Sequence, residues 1–200
     1  MADDDSGMSE QALAEGLRAA GIQLLEVRYE AASIPIHAAW AATACQPGEA
    51  GRRDVTYDLD DPDLVRQLNS AWSRMVMEVG LLDCNGQFLL SVTSSSSGLS
   101  EPHWALVCAL EEPDIAGVGA SRGIFGFRSG YIEFAAASLD GEVVVRGTLW
   151  QSTAGLLAIS DARSSDRLRE YIHGLVERGT LPADEHLRAE IWLGIGRVQG

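Results

Sequence analysis

Apolar residues recur at helical spacing in two parts of the first half of the chain. Leu13 and Leu17 lie four residues apart behind Ser9, a residue type that caps helix N-termini, and together they predict a short helix. A second helix is predicted after the acidic segment 60–63, because Asp and Pro favour the first turn of a helix. Its apolar stripe consists of Leu64, Val65, Leu68, Trp72, Met75 and Val76. Between the two helices, alternating apolar and polar residues over 22–30 predict a half-buried strand.

The second half of the chain is dominated by extended segments with turn signals between them. Asn-Gly at 85–86 and Asp-Gly at 140–141 are typical of tight turns between antiparallel strands. The two predicted hairpins join residues 76–82 to 87–92 and residues 131–138 to 142–149. Helical spacing returns near the C-terminus and predicts a helix over 166–178 that ends at Gly179.

These elements predict an α+β fold, with an antiparallel sheet built from hairpins and two or three packed helices that lie mainly on one face. The length of 200 residues and the hydrophobic fraction of 46% fit one domain with its own apolar core. The Asp-rich residues 1–8 are expected to be a disordered acidic N-terminus, and residues 9–200 a single α+β domain.

The charge balance limits the kinds of partner that the protein can bind. The chain has 15 basic residues, all of them Arg, against 29 acidic residues, so its formal net charge is −14. Nucleic acid and anionic membranes would be repelled by such a surface, so we expect neither as a partner. A basic protein would be attracted to it. Whether the chain also forms a homodimer is left open.

Residues suited to cofactor or metal chemistry are scarce. A chain without Lys cannot supply a phosphate-binding or Schiff-base lysine, and its four His lie outside metal-ligand spacing. We therefore expect no cofactor and no metal. Cys45, Cys84 and Cys108 are odd in number and widely spaced, which favours reduced thiols. Together with a polar N-terminal segment and the lack of a long apolar run, this predicts a cytoplasmic location.

Six residues are candidates for a binding surface: Asp58, Asp60, Asp61, His103, Trp104 and Trp150. The three Asp precede the second predicted helix, where carboxylates either cap the helix or attract a cation. His103 and Trp104 begin one candidate strand, and Trp150 ends another. Trp is favoured at the centre of protein interfaces, which is why the two Trp are included.

The leading hypothesis is a non-catalytic, acidic protein-binding module of an immunity, adaptor or chaperone-like type, bacterial in character, that recognises a basic protein partner. One alternative is a small-molecule-binding sensor or cyclase-like protein with a pocket between the sheet and the C-terminal helix. Another is a serine hydrolase using Ser121, because residues 119–123 match the G-x-S-x-G pattern. The sequence shows no nucleophile paired with a base, which favours binding over catalysis.

Overall fold

The computed structural model describes residues 8–93, 102–126 and 130–195, and these ranges contain five α-helices and seven strands. The helices are α1 (Glu10–Ala19), α2 (Ile36–Trp40), α3 (Leu64–Val79), α4 (Asp166–Arg178) and α5 (Ala183–Leu193). The strands are β1 (Ile22–Glu26), β2 (Arg53–Asp58), β3 (Gln87–Thr93), β4 (Pro102–Ala109), β5 (Phe134–Ala137), β6 (Val144–Leu149) and β7 (Thr153–Ile159). Of the predicted disordered segment 1–8, residues 1–7 lie outside the described ranges.

The strands form a seven-stranded sheet in the order β1-β4-β3-β5-β6-β7-β2, and neighbouring strands are antiparallel. The predicted α+β class with an antiparallel sheet is therefore confirmed. β1 and β2 are the two edge strands. None of the helices in the described ranges is long and apolar enough to cross a membrane.

Helices cover both faces of the sheet, so the expectation that they lie mainly on one face is wrong. The core on one face contains apolar residues of α1 and α3, and the core on the other contains those of α2, α4 and α5. The reason lies in the strands, since β5 and nearly all of β6 and β7 are buried at successive positions rather than alternate ones. A strand with apolar side chains on both sides needs a cover on both sides.

Local capping signals identify two of the helices well. Ser9 caps α1 by accepting a hydrogen bond from the backbone N of Ala12 at 3.2 Å. α4 spans the predicted residues, and Gly179 ends it with a positive φ of 60°, which is the left-handed conformation that glycine tolerates best. The hairpin at Asp140-Gly141 is also confirmed, because it joins β5 to β6.

The hairpin predicted around 83–86 is wrong. α3 continues to Val79, so this turn connects a helix to β3 rather than two strands. Asp83 shapes the turn by accepting hydrogen bonds from the backbone N of Asn85 and of Gln87, both at 2.8 Å. Near the C-terminus, α5 continues as far as Leu193 and is followed by Gly194 with a positive φ of 75°.

Candidate functional site

Four of the six candidate binding residues lie at the end of the sheet where β2 stops and β6 turns into β7. The backbone N of Trp150 donates to the carbonyl oxygen of Thr153 at 2.8 Å, and Thr153 is paired with Asp58 across β7 and β2. The backbone N of Leu59 then donates to Ser152 at 2.9 Å. These contacts place the Trp150 turn beside the turn that carries Asp58, Asp60 and Asp61.

The acidic turn is held by hydrogen bonds to its own carboxylates. Asp58 accepts from the backbone N of Asp60 at 3.0 Å, and Asp61 accepts from the backbone N of Asp63 at 2.8 Å. A second oxygen of Asp61 accepts from the side-chain amide of Gln67 at 2.9 Å. This bonding supports the predicted helix-start role of the segment and also fixes the direction of the carboxylates.

The charge of this turn is largely unpaired. Asp63 forms a salt bridge of 2.7 Å with Arg66, whereas Asp58, Asp60 and Asp61 form none with the residues that the structure describes. Trp150 is 60% exposed, and among the large apolar residues that the structure describes only Met77 is more exposed. We call the group Asp58, Asp60, Asp61 and Trp150 the acidic–Trp surface.

Alternation along the strands places Trp150, Thr153 and Asp58 on the same face of the sheet. Residues that are paired across neighbouring antiparallel strands project to one side, and Trp150 pairs with Thr153, which pairs with Asp58. The indole and the Asp58 carboxylate are thus two strands apart on one face. A cationic chain can contact both at once, because strands are spaced about 5 Å apart.

The other two candidate residues lie on β4, three strands away from β6 in the sheet order. Trp104 is only 2% exposed, and its indole nitrogen donates to the carbonyl oxygen of Ile34 at 2.9 Å. It packs in the core beneath α2, so its burial does not favour a role as a surface contact. His103 is half-buried and lines a separate cleft.

This cleft has a volume of about 260 Å³ and lies between β4, α2 and the start of α5. The side chains that give it its chemical character are Arg28, Tyr29, His37, His103, Glu185 and Arg188. Glu185 is only 6% exposed, accepts from the backbone N of Ile36 at 3.0 Å, and lies 3.7 Å from Nδ1 of His37. It thereby caps the N-terminus of α2 from a helix 149 residues away in sequence.

Arg188 completes the polar contacts of the cleft. Its guanidinium pairs with Glu185 and also donates to the carbonyl oxygens of Ala32 at 2.9 Å and Glu30 at 3.2 Å. These bonds tie α5 to the connection between β1 and α2. Sequence reasoning missed His37, Glu185 and Arg188, because no local pattern connects residues that come together only when α5 packs.

A buried guanidinium lies deeper under α2. Arg146 on β6 is 5% exposed and donates to the carbonyl oxygen of Trp40, the last residue of α2, at 2.8 Å. Its guanidinium carbon stacks 3.9 Å from the centre of the Trp40 ring. Burial lowers the pKa of Arg146 to about 10, and the charge of Glu133 opposes that shift. The group therefore stays cationic at neutral pH.

Ser121 does not sit on a nucleophile elbow. Residues Ile115–Gly119 form a π-helical turn, and Ser121 continues it as a helical residue rather than following a strand. Its hydroxyl donates to the carbonyl oxygen of Val118 at 3.1 Å, within the same turn. The strand-turn-helix geometry that exposes a nucleophilic Ser is not formed around this residue.

The fold and its surfaces define an antiparallel α+β protein with an acidic, Trp-bearing sheet end and a small polar cleft. Among the described residues, no group of three His, Cys, Asp or Glu is arranged to hold a metal ion. No protein-family model, curated protein or solved structure matches the chain. Its function therefore has to be inferred from its own residues.

Proposed function

We propose that the protein is a non-catalytic, acidic protein-binding module of an immunity, adaptor or chaperone-like type, and that it recognises a basic protein partner through the acidic–Trp surface. The observation that carries this proposal is the exposed indole of Trp150 beside three carboxylates, of Asp58, Asp60 and Asp61, that form no salt bridge with a described residue. An exposed Trp adjoining unpaired negative charge is suited to a Lys or Arg side chain.

Two interactions of different range support recognition of a cation. At long range, the net charge of −14 attracts a basic partner and raises its association rate. At contact, a guanidinium or ammonium group stacks on the indole and pairs with the carboxylates. Because the hydrogen bonds of Asp58 and Asp61 already hold the acidic turn in place, little ordering accompanies binding.

The test is the affinity of a short fluorescein-labelled peptide of alternating Arg and Thr. We expect Trp150→Ala, and separately the triple variant Asp58→Asn, Asp60→Asn, Asp61→Asn, to weaken binding by about 5- to 30-fold, since each removes about 1–2 kcal/mol of contact energy. Raising the salt concentration should weaken wild-type binding and slow association.

A charge-matched control variant distinguishes binding at the acidic–Trp surface from a general effect of net charge on peptide affinity. The variant Glu10→Gln, Glu111→Gln, Glu170→Gln removes the same number of carboxylates from exposed positions on α1, the loop after β4, and α4. It should retain most of the wild-type affinity. If it weakens binding as much as the Asp triple variant does, the peptide responds to net charge alone and the acidic–Trp surface is not the binding site.

The cleft supports a second candidate, a small-molecule-binding sensor or cyclase-like protein. The specific observation is the convergence of His37, His103 and the buried Glu185 around one concave space, since pockets with a few convergent polar groups are common ligand sites. A thermal-shift screen with polar metabolites tests it. A metabolite should raise the melting temperature of wild type but not of His103→Ala, and it should do so without competing with the basic peptide.

A further inference from the structure

β2 is an open and regular edge of the sheet. It comes last in the strand order, and among the described residues it is paired along one side only, with β7. Its six residues keep an unbroken register with β7, whereas the opposite edge strand, β1, is interrupted by a bulge between Leu24 and Glu26. Bulges blunt an edge against further pairing, so β2 is the edge better suited to accept another strand.

The hydrogen-bond phase shows which backbone groups of β2 point outwards. The backbone N–H of Leu59 donates to Ser152, which is at the turn before β7. Because every second residue of a strand directs its backbone groups to the same side, Val55 and Tyr57 also direct theirs towards β7. The N–H and C=O groups of Asp54 and Thr56, and the N–H of Asp58, therefore point away from the sheet. The carbonyl oxygen of Asp58 is already used, because it accepts from Asp61 at 3.2 Å.

The side chains beside these outward groups determine which strand fits. Asp54, Thr56 and Asp58 are exposed and project to one face. Asp54 is paired with Arg52 at 2.8 Å, while Asp58 has no salt bridge to a described residue. If β2 of a second copy paired antiparallel to this edge with Thr56 opposite Thr56, Asp54 of each copy would lie opposite Asp58 of the other. Like charges in opposed positions are destabilising, so a second copy is a poor occupant of this edge.

We propose that β2 binds an extended basic segment of a partner protein as an added strand. This inference rests on the proposed function and specifies its binding mode: backbone hydrogen bonds to Asp54, Thr56 and Asp58 align the segment. Basic residues four positions apart in that segment come to lie opposite Asp54 and Asp58. Trp150 lies on the same face at the end of β6, about 14 Å or three strand spacings from the added segment, so it contacts only a long cationic side chain that extends across β2 towards it.

The substitution Thr56→Pro tests the binding mode directly. It removes an outward N–H and places a ring at the edge, but it leaves the bonds between β2 and β7 intact, which is why Pro is tolerated at such positions. The probe is the fluorescein-labelled peptide of alternating Arg and Thr, in which Arg residues also occur four positions apart. We expect Thr56→Pro to weaken its binding about tenfold or more, from the loss of at least one bond and added steric conflict.

Two controls keep the result interpretable. Thr56→Ala retains the N–H and should bind within about twofold of wild type, since a surface substitution of this kind changes energies little. If Thr56→Pro unfolds, as judged by its circular dichroism melt, wild-type protein with a peptide N-methylated along its backbone answers the same question. N-methylation should abolish binding, and unmodified peptide should slow amide exchange at Thr56.

The outcomes separate this inference from the proposed function. Peptide binding that survives both Thr56→Pro and N-methylation, but is lost in Trp150→Ala, overturns strand addition and leaves the acidic–Trp surface as the site. A wild-type protein that does not bind the peptide contradicts both. Self-association that Thr56→Pro abolishes would show that a second copy occupies the edge, which also overturns the inference.

Discussion

At the scale of single residues, a few buried polar groups fix the packing of distant elements. Arg146 joins the sheet to the end of α2 by a hydrogen bond and a stacked ring, both to Trp40. Its Nε has no hydrogen-bond partner, and no carboxylate among the described residues forms a salt bridge with it. A buried cation of this kind carries a desolvation penalty that its contacts only partly offset.

Two substitutions of Arg146 should therefore differ in a definite order. Arg146→Lys keeps a buried charge but loses the planar stack, and we expect it to lower the free energy of unfolding by about 1–3 kcal/mol. Arg146→Met keeps much of the aliphatic volume and removes the charge, so it should be less destabilising. Urea unfolding measures both. A Lys variant as stable as the Met variant would contradict the expectation, since it would show that a buried charge at this position costs little.

The hydrogen-bonded carboxylate of Asp114 should make the stability of the protein depend on pH. Burial raises its pKa, but hydrogen bonds from the backbone N of Val118, the side chain of Asn69 and the backbone N of Gly117 outweigh it, so the pKa lies below its ordinary value. A carboxylate with a lowered folded-state pKa stabilises the protein fully above its unfolded pKa of about 4. That contribution is lost as the pH falls through the folded value.

Asp114→Asn tests this sign. At neutral pH we expect it to lower the free energy of unfolding by about 1–2 kcal/mol, because hydrogen bonds to a charged acceptor are weakened. The difference from wild type should shrink as the pH falls below about 5 and through the lowered folded-state pKa of Asp114, because the stabilising contribution of the carboxylate is lost there. Chemical denaturation at several pH values measures it, and a difference that stays constant or grows would contradict the expectation.

At the scale of elements, the serine caps at the N-termini of α4 and α1 contribute to the stability of the protein to different degrees. Ser165 caps α4 from a fully buried position, where its hydroxyl accepts from the backbone N of Leu168 and donates to Glu49 at 2.6 Å. Ser9 caps α1 in an exposed position. Ser165→Ala should cost about 1–2 kcal/mol, and Ser9→Ala less, since water replaces an exposed cap more readily. Equal melting temperatures of the two variants would rule out this difference.

Elements with strong local signals could be predicted from the sequence, and those that depend on packing could not. The Ser9 cap of α1, the Gly179 end of α4 and the Asp-Gly turn of β5 and β6 depend on neighbouring residues alone. Val76 shows the opposite case, because a β-branched, apolar residue fits both the end of α3 and a strand. Only the packing of α3 on the sheet decides between them.

Only part of the acidic–Trp surface could be predicted from the sequence, because the proximity of its residues also depends on packing. Their residue types make Asp58 and Trp150 candidates, but their proximity follows from β2 (Arg53–Asp58), a strand that is not among the elements predicted from the sequence. The pattern was present, since Val55 and Tyr57 alternate with polar residues. The cleft around Glu185 had no such signal, because its residues are contributed by α2, β4 and α5.

At the scale of the whole molecule, negative charge and an open sheet edge act together. The net charge of −14 opposes association between identical copies and attracts basic segments. The carboxylates of β2 have the same effect locally, since acidic side chains on an edge strand disfavour pairing with a like-charged strand. The proposed strand addition at this edge should therefore favour a partner of opposite charge over a second copy of the chain.

The most direct test is to map where the Arg-Thr peptide binds by following the backbone amide signals of isotope-labelled protein during titration. We predict that the largest shifts fall on residues 54–61 and 150–153, and that the Trp150→Ala variant needs about 5- to 30-fold more peptide to reach the same shifts. Shifts centred on His37, His103 and Glu185, or spread evenly over the acidic surface, would contradict recognition through the acidic–Trp surface.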